Sequence, residues 1–214
     1  MSHKNPKPWA IVLEVKPTNR KEIERFFWKT KKEFDKFFDL DVYPREILLI
    51  DSRKDMNKIK KRKTADWEIG GYANNAIFIL KPEKFEKESS HKKQDFWPTL
   101  KHEIVHLYYG IITGTSKPYW LNEGLAVYLA KQRRTATPEN VVNVIKSFDT
   151  FDKNDYGSSG RLVELLMKRY GKDKMLTLLR TIDSKIKKQE FSRSFKKIYG
   201  FELNEKELMK RFFL

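Results

Sequence analysis

Two histidines four residues apart enclose a glutamate in His102-Glu103-Ile104-Val105-His106. On a helix such a pair lies on one face, one turn removed, so both imidazoles can reach a single tetrahedral cation. Glu103 follows about 100° round the helix, near enough to address a water held by that cation. A second carboxylate, Glu123, has Trp120, Ala126, Val127 and Ala130 as its helical neighbours three, four and seven positions away. A charge in so apolar a setting is costly to bury unless a cation pairs with it. That cation is either a metal or one of the chain's 45 Lys and Arg side chains. Position favours the metal, because Glu123 opens the helix that follows the one carrying both histidines. Two imidazoles, one carboxylate and a fourth position left for water make a zinc site of the catalytic kind.

Helical spacing sets these residues in context. Leu100, Ile104, Leu107, Tyr108 and Ile111 form one apolar stripe that should face the core. His102 and His106 lie nearly opposite it, beside Thr99, Tyr109, Gly110 and Thr113. Histidines that merely filled the core would sit on the stripe instead. Upstream, strand and helix signals alternate. Trp9 to Val15 reads as a strand stopped by Pro17. Thr18 or Asn19 can cap a helix whose apolar positions are Ile23, Phe26, Phe27, Thr30, Phe34, Phe37 and Phe38. Glu46 to Asp51 and Ala76 to Leu80 read as buried strands, and residues 52–64 as a basic helix or loop. Residues 83–94 are polar and read as a surface loop. Beyond Asp95 the spacing predicts helices near 96–112, 119–131, 138–148, 157–170, 173–183, 189–198 and 204–213, with Gly171 and Gly200 where C-terminal caps belong. The expected fold class is α+β: a small N-terminal mixed sheet with helices to about residue 113, then a mostly helical C-terminal lobe from about 114, with the zinc cleft between them. Residues 1–214 are read as one catalytic domain.

Composition narrows the function classes. At 39% hydrophobic and 14% aromatic residues, 214 residues can bury a genuine core. The absence of cysteine excludes disulfides, thiolate metal sites and cysteine nucleophiles, and fits a reducing cytoplasm. The start, MSHKNPKPW, lacks a signal-peptide pattern, and no stretch approaches the roughly 20 apolar residues of a spanning helix, so the expectation is a cytoplasmic protein without a membrane span. The net charge of +16 would attract polyanions. The cations are spread along the chain, however, and the one dense run, Lys58 to Lys63, is short, so nucleic acid is a possible partner that the sequence does not favour.

His102-Glu103-x-x-His106 with Glu123 after sixteen intervening residues, inside Asn122-Glu123-Gly124-x-Ala126, resembles the gluzincin zinc metallopeptidases. It is most similar to the peptidase MA-like domains and the zinc aminopeptidase superfamily. Tyr156-Gly157-Ser158-Ser159 with Leu162, Val163, Leu166 and Arg169-Tyr170-Gly171 is similar to the helix that follows the ligand glutamate there. The resemblance implies Zn²⁺ on His102, His106 and Glu123, and peptide-bond hydrolysis by an activated water. Glu103 would be the base, and Asn122 would orient a ligand from behind. Tyr156 would donate to the tetrahedral oxyanion, although an ordinary half-buried aromatic suits that position equally. Family members bind the substrate backbone along an edge strand before the zinc helix. Gly71, Tyr72 and Ala73 occupy that place, where Gly70-Gly71 could also simply turn the chain. The glutamate that captures the substrate amino terminus in aminopeptidases is missing: no acidic residue stands between Gly70 and Leu80. A peptide or protein substrate cut internally is therefore the expectation. Two alternatives stand beside it, a metallopeptidase acting on DNA-associated or regulatory proteins and a non-catalytic zinc-binding module.

Overall fold

The computed structural model describes residues 11–13, 17–132 and 134–214. It divides into two compact units, residues 1–107 and residues 108–214. The fold is α+β, with a small mixed sheet in the N-terminal half and helices after it. The sheet has the order β1-β2-β4-β3, built from β1 (Ile11–Leu13), β2 (Glu46–Ile50), β3 (Gly70–Ala73) and β4 (Ala76–Leu80). Of the strand expected over Trp9 to Val15, only β1 falls in the described residues; the rest, with the N-terminal segment, lies outside them. β1, β2 and β4 are parallel, and β3 closes the order as an antiparallel edge. β4 is buried along its whole length, as the unbroken run Ala76-Ile77-Phe78-Ile79-Leu80 requires.

In α1 (Pro17–Phe38), Ile23, Phe27, Thr30, Phe34 and Phe38 are buried at spacings of three and four. Residues 52–64 resolve into helix: Ser52 caps α2 (Arg53–Lys60) by accepting from the Asp55 N–H at 3.2 Å, and Lys61 ends it in the left-handed region at φ 51°. The basic run is mostly committed within the fold. Arg62 and Lys60 both hold Glu68, whose carboxylate is 6% exposed, and Lys58 pairs with Asp55. Burial alone would raise the Glu68 pKa. Hydrogen bonds from Arg62, Lys60 and the Ala65 N–H outweigh burial and hold it at about 2. Arg53 completes the knot by donating to the carbonyls of Ala65, Asp66, Glu68 and Glu88. Residues 83–94 differ from the expected surface loop. They include a 3-10 turn, the short α3 (Phe85–Glu88) and a second 3-10 turn starting at Lys93, because Phe85 is fully buried against Phe96 and must be held inward.

The division between the units falls inside α4 (Phe96–Thr113), between residues 107 and 108. Then come α5 (Tyr119–Leu129), α6 (Pro138–Asn143) with a 3-10 turn to Lys146, α7 (Asp155–Leu179), α8 (Lys188–Tyr199) and α9 (Glu205–Phe212). α7 breaks at Gly171, where φ 82° and ψ 172° leave the helical region, so the two expected helices meet there. Among the described residues no helix is long and apolar enough to cross a membrane.

Candidate metal centre

α4 differs from the one-sided helix its stripe implies. Leu100, Ile104, Leu107 and Tyr108 are buried, but Ile111 is 43% exposed. Thr99, His102, Glu103, Val105, His106, Tyr109 and Thr113 are buried on the other sides. Burial on nearly every side, rather than along one apolar face, is why the stripe did not mark an outer side. His102 and His106 stand edge to face, with ring centroids 4.7 Å apart.

The loop after α4 is fixed by hydrogen bonds that sequence reasoning passed over. The Tyr109 hydroxyl donates to the Lys117 carbonyl at 2.7 Å, and complete burial raises its pKa well above the ordinary value. The Thr113 hydroxyl lies 2.8 Å from the carbonyls of Tyr109 and Thr115 and accepts from the Thr115 N–H. Gly114 takes φ 65°. The only signal for this loop was the small polar run Thr113-Gly114-Thr115-Ser116 ahead of Pro118. α5 starts with the N–H groups of Tyr119 and Trp120 on the carbonyls of Phe148 and Ser147, which satisfies two of the donors a helix start leaves open.

On α5, Glu123 is half-buried, and its carboxylate and the ring nitrogens of His102 and His106 offer ligand atoms within 4.8 Å of one another. Tetrahedral ligands of an ion at about 2.1 Å stand about 3.4 Å apart, so small side-chain rotations close the set. The donor types fit the expected ion: two imidazoles and a carboxylate, with no cysteine in the chain. Thus the group can hold a metal ion. Asn122 is buried, with Nδ2 3.4 Å from the Ser116 carbonyl, so it braces the same loop.

Gly124 sets the depth of α5. A Cβ there would lie 2.6 Å from the Ser159 carbonyl oxygen and 2.7 Å from a Val163 methyl of α7. A Cβ at Gly160 would lie 2.4 Å from Val127. The two helices therefore meet almost backbone to backbone beside Glu123, a role of Gly124 and Gly160 that the sequence did not announce. Tyr156 sits in the first turn of α7, half-buried, edge-on to Phe151 at 4.8 Å and with the Arg134 guanidinium 4.9 Å from its ring centroid.

Around Glu103 the second element is β3. Gly70 and Gly71 lie in this strand rather than in a turn; the turn is made by Asn74 and Asn75, at φ 50° and 62°. A Cβ at Gly70 would lie 2.8 Å from Glu103 Oε1, and one at Gly71 would lie 2.4 Å from the Phe78 ring. The strand can run beside the carboxylate only because residue 70 lacks a side chain. The Leu80 N–H donates to the Ile69 carbonyl at 2.8 Å, so alternation turns the backbone groups of Gly71 and Ala73 toward β4 and those of Gly70 and Tyr72 outward. No strand pairs with that outer edge among the described residues. The Tyr72 hydroxyl has its pKa raised by burial, against a hydrogen bond from the Asn75 backbone. No protein-family model and no curated protein matches the chain.

Proposed function

We propose that the chain is a zinc-dependent metallopeptidase of the gluzincin type that cuts peptide chains internally. One observation carries the reading: His102, His106 and Glu123 converge, while Glu103, between the two histidines in sequence, lies against the open strand β3. A site that kept zinc for structure alone would have no use for a carboxylate at residue 103. When bound, the ion supplies a Lewis acid for the scissile carbonyl and lowers the pKa of its water toward about 7.

The chain's own residues do the rest. An extended substrate pairs with the outward N–H and C=O groups of Gly70 and Tyr72, adding a strand to the sheet. Gly70 keeps that strand within reach of the Glu103 carboxylate. Glu103 removes a proton from the attacking water and delivers it to the leaving amine. Tyr156 is the proposed donor to the oxyanion, and Asn122 steadies the loop that delivers Glu123. β3 carries no acidic side chain to capture a substrate amino terminus, which supports internal cleavage. Three of the five cations in the Lys58–Lys63 run pair with Glu68 or Asp55, which weakens that run as support for a nucleic-acid docking partner.

Metal analysis joined to a peptide-library digest tests the proposal. Gently purified protein should carry one zinc per chain and cleave, and chelation should abolish cleavage. Glu103→Gln should keep the zinc and lose cleavage. Undiminished cleavage by the variant removes Glu103 as the base, and a chain that never takes up stoichiometric metal ends the enzyme assignment.

A further inference from the structure

The C-terminal unit contains a cavity of about 530 Å³ whose walls come from α5, α8, the segment before α7, and the start of α9 with the residues just ahead of it. Its apolar lining is Trp120, Ile145, Phe148, Phe191 and Leu203; the first four are buried, and Trp120 and Phe191 stand edge to face at 6.1 Å. Lys146, Lys188 and Lys206 also line it, all three exposed, together with Glu205. Lys146 is engaged by Glu205 at 2.7 Å and by Asn143 at 2.8 Å. Lys188 and Lys206 make no ion pair among the described residues. The mouth is thus cationic, with its single acid already neutralised, and the floor is aromatic and aliphatic. The volume falls within the range of about 300–1,000 Å³ usual for small-molecule sites.

We propose that this cavity binds a free carboxylic acid with an apolar body, its hydrocarbon on Trp120, Phe148 and Phe191 and its carboxylate between Lys188 and Lys206. The pairing follows from charge and burial together. A cationic amphiphile meets two uncompensated ammonium groups, and a neutral one leaves both without a partner. An anion gains both while its body removes apolar surface from water. The lining contains none of the metal ligands, so the proposal stands whether or not the chain hydrolyses peptides.

Isothermal titration of the full chain with octanoate tests it, with octyltrimethylammonium as the cation of equal apolar length. Octanoate should bind saturably at one per chain. Joint Lys188→Glu and Lys206→Glu exchange should weaken binding by about tenfold or more. Ser192→Trp, which places bulk at the cavity wall, should abolish it. Melting temperatures verify that each variant is folded; if the double exchange lowers its own, Lys188→Gln and Lys206→Gln taken singly carry the same comparison. Four results would overturn the proposal: no saturable heat, unchanged affinity in a folded variant, equal binding of the cation, or tighter binding of a short peptide ending in leucine, which would assign the cavity to polypeptide termini.

Discussion

Glycine performs opposite tasks in the two units. In the sheet, Gly70 keeps space open: the atom nearest to its missing Cβ is Oε1 at the far end of the Glu103 side chain. In the helices, Gly124 uses its space up, because the nearest atom is the backbone oxygen of Ser159. A flexible carboxylate can move aside and a helix backbone cannot, so one methyl group should injure chemistry in the first place and folding in the second. Sites are thus recognised by what a glycine faces rather than by the glycine itself.

Four experiments sharpen or break that contrast. The largest effect belongs to Glu103→Gln, which should lower kcat/KM for a peptide substrate by about 10²–10⁴-fold at unchanged zinc content and unfolding midpoint. Next, Gly124→Ala should cost about 1–3 kcal/mol in urea unfolding, since overpacking against Ser159 exceeds any gain in helix propensity. Gly70→Ala should lower kcat/KM by about tenfold with little change in stability, because it displaces Glu103, the proposed proton acceptor, from its position. If Gly70→Ala unfolded the chain and Gly124→Ala only slowed it, the contrast would be reversed. The smallest effect is local to the N-terminal unit. Glu68 is held at about 2 against an ordinary 4.5, so it stabilises the fold above about 4.5 and loses that contribution as pH falls toward about 2. Acid titration of the melting temperature should therefore bring wild type and Glu68→Gln together across that window. Parallel curves would remove the Glu68 knot from the account.

The legible part of the molecule was the part governed by local rules. A spacing of four put His102 and His106 on one helix face, and an unexplained charge among apolar neighbours marked Glu123. Helices with caps, such as the pair meeting at Gly171, were also visible in advance. Gly70-Gly71-Tyr72-Ala73 is too short and too glycine-rich for strand alternation to separate it from a turn, and pairing with β4 decides it. Phe85 vanished in a polar stretch because one buried ring among charges leaves no period. Ile111 looked internal because α4 repeats its apolar pattern on a helix buried almost everywhere else. Gly124 and Gly160 stand alone in the sequence, and their meaning lies in a partner helix more than thirty residues away from Gly124.

The outer side of β3, which no described strand pairs, carries a hazard with its opportunity. Backbone groups open to a stretched peptide are equally open to the same strand from another copy, the first step toward intermolecular sheets. Two features restrain this: the edge is only four residues long, so stacked copies gain few bonds, and a net charge of +16 keeps like molecules apart. Storage at high ionic strength, which screens that repulsion, should therefore be when this protein first clouds.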